Sequence, residues 1–134
     1  MFSFCENLTT LNLSGFNTAA VTDMGGMFSG CENLTTLNLS GFDTAAVTDM
    51  GSMFCGCKKL ETIVFSNKFL TSNVETMASM FSCCESLTSL DLSNFDTSNV
   101  TDMMHMFILD YSLTTIFVGD GFDTSNVTNS DNMF

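Results

Sequence analysis

The chain repeats itself, and the repeat constrains everything else about it. Residues 27–52 read MFSGCENLTTLNLSGFDTAAVTDMGS, and residues 1–26 differ from them only at Phe4/Gly30, Asn17/Asp43 and Gly26/Ser52. Residues 53–79, 80–105 and 106–132 are more divergent copies, and Met133-Phe134 opens a sixth. A fixed period of about 20–50 residues marks a solenoid, in which no copy can bury its apolar face alone and each stacks on its neighbours. The expected fold class is therefore a repeat solenoid. Residues 1–134 form one such unit of five copies, above the roughly three that stacking needs.

Aligning the copies gives columns. Leu8, Leu34, Leu60, Leu87 and Leu113 form the first; Leu11, Leu37, Ile63, Leu90 and Ile116 the second; Leu13, Leu39, Phe65, Leu92 and Val118 the third. The pattern ends in alternation, which predicts a short strand with one buried face. Successive strands are expected to lie parallel about 4.8 Å apart in one continuous sheet. A turn and a Phe follow (Phe16, Phe42, Phe69, Phe95, Phe122), and these rings are expected to stack and supply most of the buried area. The third and fifth copies carry one extra residue in that turn. Thr18, Thr44, Thr71, Thr97 and Thr124 come next, placed for local side-chain-to-backbone turn bonds.

The return limb reads V-T-D-M-x-x-M-F-x-x-C. Its apolar spacing, as at Val21, Met24, Met27, Phe28 and Cys31, fits a helical face better than a strand. The expectation is a short extended piece at Val-Thr and then one or two helical turns, ended by Gly30 or Gly56.

Composition narrows the function. Fifteen acidic residues against Lys58, Lys59 and Lys68 give a net charge of −12. Nucleic acid is disfavoured, because phosphate binding needs clustered cations. So is docking on an anionic membrane surface. No apolar run approaches a membrane span and no basic-then-apolar leader is visible, so no membrane insertion is expected.

The string LTSLDLSNFDTSNVTDM followed by M-x-MF, over residues 87–107, resembles the 26-residue repeat of bacterial surface proteins, which is related to the BspA-like leucine-rich repeats. The resemblance covers the whole chain. It implies a leucine-rich-repeat-like, right-handed solenoid, a cell-surface or secreted location, and a role in adhesion and host or matrix binding. It brings no shared catalytic residue. The chain departs from the family pattern in showing no signal peptide, anchor or cap sequence. It starts and stops in mid-pattern, as an excerpt of a longer protein or a processed product would.

The candidate binding surface is the outward strand face: Thr10, Asn12, Thr36, Asn38, Thr62, Val64, Asp91, Thr115 and Phe117. Val64 and Phe117 stand where other copies have Asn or Asp, and exposed apolar residues on a sheet suit a partner. Asp43, Asp96 and Asp123 form an acidic file that a calcium ion could bridge, against the simpler reading that each caps its own turn. A second file, Asp23, Asp49 and Asp102, is broken by Thr76 and Asn129. Cys5, Cys31, Cys57 and Cys84 read as a buried thiol column, which becomes Asp110 in the last copy. Cys55 and Cys83 lie off that column on adjacent copies and are the candidate disulfide pair, the alternative being free thiols. Spacings for a zinc site are absent. His105, the only histidine, has no nucleophile or orienting partner in view and reads as a surface residue.

The expected function is a non-enzymatic protein-interaction or adhesion module, with no cofactor and a macromolecular partner. The alternatives are head-to-tail self-association of the repeats into fibres and, with less support, ice or regular-surface binding through the Thr file.

Overall fold

The computed structural model describes residues 1–134. It is mostly non-helical, with short parallel strands at a regular spacing of about 26 residues, consistent with a repeat. The strands are β1 (Thr36–Leu39), β2 (Thr62–Phe65), β3 (Ser89–Leu92) and β4 (Thr115–Val118). Inward Leu37, Leu39, Leu90 and Leu92 alternate with exposed neighbours, as the period of two requires.

The single sheet expected from the sequence is not formed. β1 pairs with β2 and β3 with β4, each in parallel, giving two separate two-stranded sheets. The break falls where Phe65 takes the place of Leu39 and Leu92. Its ring is wedged against Phe69 at 4.7 Å and Phe95 at 5.4 Å between ring centroids, and the turn after it is one residue longer. The ladder lapses beside this ring and restarts one copy later. The first copy forms no strand, although residues 7–16 are identical to residues 33–42.

The helical turns expected on the return limb are also absent. Instead, two left-handed backbone positions recur in every copy. Gly26, Ser52, Ser79, His105 and Asn132 form one column, with φ from 47° to 60°; Phe4, Gly30, Gly56, Cys83 and Leu109 form the other, from 59° to 73°. Each closes a tight turn: Met27 N–H donates to the Met24 carbonyl at 3.1 Å, and Cys31 N–H to that of Phe28 at 3.2 Å. A positive φ at the third of four residues, with a bond from first to fourth, is the pattern of a type II turn, and it cannot lie inside a right-handed helix. Glycine takes such a φ without strain. Gly30 also has a second reason to be glycine, since a Cβ there would come within 2.7 Å of the Phe4 ring.

Residues between those closures bond across copies. Met24, Gly26, Phe28 and Gly30 donate their N–H groups to the carbonyls of Asp49, Gly51, Met53 and Cys55, at 2.7–2.9 Å. Bridges running Asp23–Asp49–Thr76–Asp102–Asn129 continue the ladder through every copy. Of 65 backbone hydrogen bonds, 59 lie outside the strands, so turns and cross-copy rungs, more than sheet, satisfy the backbone.

The core is one cluster built from the Leu, Met, Phe, Val and Cys columns. Its spine is an aromatic stack, but not the one expected. The rings of Phe2, Phe28, Phe54, Phe81, Phe107 and Phe134 lie 5.4–5.9 Å apart with interplanar angles of 2–18°, the offset stacking that aromatic quadrupoles favour. Of the rings after the turn, Phe69 and Phe95 stack on one another, 5.9 Å apart. The Met-Phe step sits in a turn of the same geometry in every copy, which keeps its rings in file.

Thr18, Thr44, Thr71 and Thr97 are buried, and their hydroxyls bond across copies rather than within their own turns. Thr71 Oγ1 donates to the Asp96 carbonyl and accepts the Asp96 N–H, both at 2.8 Å. Thr71→Val keeps the shape and removes both bonds, leaving the Asp96 N–H without its partner. We expect a loss of about 1 kcal/mol in urea unfolding, while Thr10→Val on the exposed outer face changes stability little.

Candidate functional site

All nine residues of the predicted binding face are exposed: Thr10, Asn12, Thr36, Asn38, Thr62, Val64, Asp91, Thr115 and Phe117. The structure divides them into three groups. Thr36, Asn38, Thr62 and Val64 share the β1–β2 sheet; Asp91, Thr115 and Phe117 share β3–β4; Thr10 and Asn12 lie on the first copy, which has no strand. In register, Asn38 is beside Val64 and Asp91 beside Phe117, so each sheet sets one apolar side chain next to one polar one.

Asn12, Asn38 and Asp91 also have a local task. Their Oδ1 atoms accept the N–H two residues on, from Ser14, Ser40 and Ser93, at 2.9–3.0 Å. Such turns end the strand. The Ser93 bonds hold the Asp91 carboxyl below its ordinary range. Val64 and Phe117 lack that capacity, and at 45% and 56% exposure they are the apolar points of this face.

The acidic file resolves into turn caps of the same kind. Asp43, Asp96 and Asp123 accept the amides of Ala45, Ser98 and Ser125 at 3.2, 3.0 and 2.8 Å. Hydrogen bonds from Ser98 and Ser125 lower the pKa of Asp96 and Asp123. The second file behaves likewise: Asp23, Asp49, Thr76, Asp102 and Asn129 each accept the N–H two residues on through a side-chain oxygen. Thr76 and Asn129 preserve this role, so the breaks seen in the sequence are breaks in charge and not in bonding. No group of three or more His, Cys, Asp or Glu is placed to hold a metal ion.

Cys31, Cys57 and Cys84 are buried, and each S–H donates to the carbonyl of a Phe in the preceding copy (Phe2, Phe28 and Phe54) at 3.2 Å. Burial pushes the Cys57 thiol up to about 12 and Cys84 well above its ordinary value. Thiols so far from ionisation are inert packing groups. Cys5 of the same column is exposed, and Cys55 and Cys83 are half-buried; all six are free thiols. His105 stands at a left-handed corner and donates its N–H to the Asp131 carbonyl at 3.0 Å. The fold uses its backbone there, in a conformation His tolerates better than most residues.

Two features escaped the sequence reading. Asn73, Asn99 and Asn126 donate their side-chain amides to the carbonyls of Ala45, Ser72 and Ser98 at 2.7–2.8 Å, stitching one copy to the last. The Asn column starts only in the third copy, Ala20 and Ala46 preceding it, which hid it. The last copy also bears an open groove of about 550 Å³ lined mainly by Phe107, Leu109, Tyr111, Leu113, Ile116 and Phe134, with Asp110 at its edge.

A search of curated proteins finds no match to the chain. A family model does match, over residues 1–66 and again over residues 35–134, so the two matches together span every copy of the repeat. The chain thus belongs to the family described as Mycoplasma protein of unknown function, DUF285.

Proposed function

We propose that this protein is a non-enzymatic interaction module: a leucine-rich-repeat-like solenoid related to the BspA-like proteins, displayed at a bacterial cell surface, that grips a macromolecular partner with its outward strand face. The observation that carries this reading is the exposure of Val64 and Phe117 on strands whose other outward positions are polar. Apolar side chains held out on a hydrogen-bonded ladder cost solubility and gain contact area with a partner. The sibling copies supply the control, since Asn38 and Asp91 fill the same column without loss of the strand.

The experiment is surface binding of the purified chain to host cells and immobilised matrix proteins, compared with a Val64→Asn/Phe117→Asp variant. Binding that falls at least tenfold in the variant, with unchanged circular dichroism and melting, supports the reading. Equal binding by both forms, or none by either, overturns it.

A second reading, head-to-tail stacking of copies of the chain into fibres, draws on the apolar groove of the last repeat, where Phe134 is 77% exposed. Light scattering that rises with concentration and rods under the electron microscope would favour it. A monomer at every concentration would remove it.

A further inference from the structure

The junction between residues 53–79 and 80–105 is the one where β2 and β3 do not pair, and two cysteines stand beside it. Gly56 N–H donates to the Ser82 carbonyl at 2.8 Å, which lays the Cys55–Gly56 peptide against the Ser82–Cys83 peptide, one rung apart. Cys55 thus faces Ser82 across a rung of about 4.8 Å and Cys83 is one residue further on, a diagonal of roughly 6 Å. A disulfide spans Cα separations of roughly 4.4–6.8 Å. The Ser82 hydroxyl lies 3.5 Å from Cys83 Sγ. Both cysteines are only half-buried. The buried column offers no such pair, because Cys31, Cys57 and Cys84 each spend their S–H on a carbonyl. Other copies have Ser3, Ser29, Ser82 and Ile108 in the Cys55 position, and Phe4, Gly30, Gly56 and Leu109 in that of Cys83. The pair occurs once, at a junction with no strand ladder.

We propose that Cys55 and Cys83 form a reversible disulfide that staples the third copy to the fourth, two copies whose strands do not pair. The oxidant is a small-molecule disulfide of the glutathione class. The thiolate of one cysteine attacks a sulfur of that disulfide and expels one small thiolate, giving a mixed disulfide. The second cysteine, deprotonated, then attacks the protein sulfur of the mixed disulfide and expels the other. Two protein thiols give two electrons and, through solvent, two protons to the small disulfide, which leaves as two thiols. Because the thiolate is the attacking species and burial pushes the Cys55 thiol up, closure speeds up as pH rises. Once closed, the bond shortens the free chain of the unfolded state and raises the unfolding midpoint.

The test starts from reduced protein in a mixture of oxidised and reduced glutathione at about pH 8, followed by alkylation, tryptic digestion and mass spectrometry. Trypsin cuts after Lys58, Lys59 and Lys68, which puts Cys55 and Cys83 on different peptides. The expected result is a covalent link between residues 1–58 and 69–134, lost on adding reductant, together with a higher urea midpoint in the linked form. Cys55→Ser and Cys83→Gly reproduce residues that sibling copies already carry there, so both variants fold, and each should abolish the link. Glutathione adducts without a link, or a link that survives in either variant, overturn the proposal.

Discussion

Phe54→Ala is expected to destabilise the protein by about 3–5 kcal/mol, the range for deleting a buried aromatic ring. Phe54 is fully buried and stacks on Phe28 at 5.9 Å and Phe81 at 5.4 Å, with the edge of Phe65 against it at 6.4 Å. Its removal leaves a cavity whose walls belong to three copies of the repeat, and none can close in without dragging its cross-copy rungs. Domains of this size are stable by only about 5–15 kcal/mol, so the variant should unfold at a much lower urea concentration. Phe134→Ala removes the same ring from the same stack at a position 77% exposed, and should cost far less. Urea titrations followed by circular dichroism test both. Equal losses would show that the stack is not the spine of the core.

Asp110 should make stability depend on pH in the sense opposite to most carboxylates. It occupies the column of the buried thiols, accepts the Cys84 N–H on Oδ1 at 2.7 Å, and buries Oδ2 with no partner. Burial raises its carboxyl from 3.8 to about 7, the Cys84 bond offsetting part of that rise. The folded state therefore holds a proton that the unfolded state has released. Its stabilising effect is complete below about pH 4 and is lost as pH climbs through about 7. At about 1.4 kcal/mol per pH unit the whole shift would be worth near 4 kcal/mol; partial exposure and solvent screening reduce the expectation to roughly 2 kcal/mol.

Asp110→Asn keeps the acceptor for Cys84 and puts a neutral donor in place of the orphaned oxygen. The variant should match the parent at pH 3.5 and exceed it by roughly 2 kcal/mol at pH 8. Unfolding curves at a series of pH values separate this from the lowered carboxylates Asp91, Asp96 and Asp123, whose contribution is present above pH 4 and lost as pH falls. Parallel curves for parent and variant would remove Asp110 as the cause.

Much of this was legible in the sequence because period and alternation report burial directly. The Leu columns, the inward Cys31, Cys57 and Cys84 and the exposed Val64 and Phe117 follow from counting residues, since the inner copies present a given column to the same side. Asp110 announced itself as a polar residue in an apolar column. The turn roles of Asp43, Asp96 and Asp123 were visible as one of two readings, because a turn cap needs only an amide close by in the chain.

The rest depended on partners about 26 residues distant. Apolar residues three apart fit a helix and fit consecutive type II turns equally well; what separates them is the sign of φ at Ser52, Ser79 and His105, which no side-chain pattern states. Which Phe column stacks was likewise decided by register in space. Residues 7–16 and 33–42 make the point most sharply. The same ten residues leave Leu8 and Leu11 half-exposed and strandless in the first copy, yet bury Leu34 and Leu37 and form β1 in the second. The sequence by itself determined the repeat, its inward columns and its caps. Tertiary structure alone decided which copies pair, because a strand this short is held by the backbone beside it and not by its own residues.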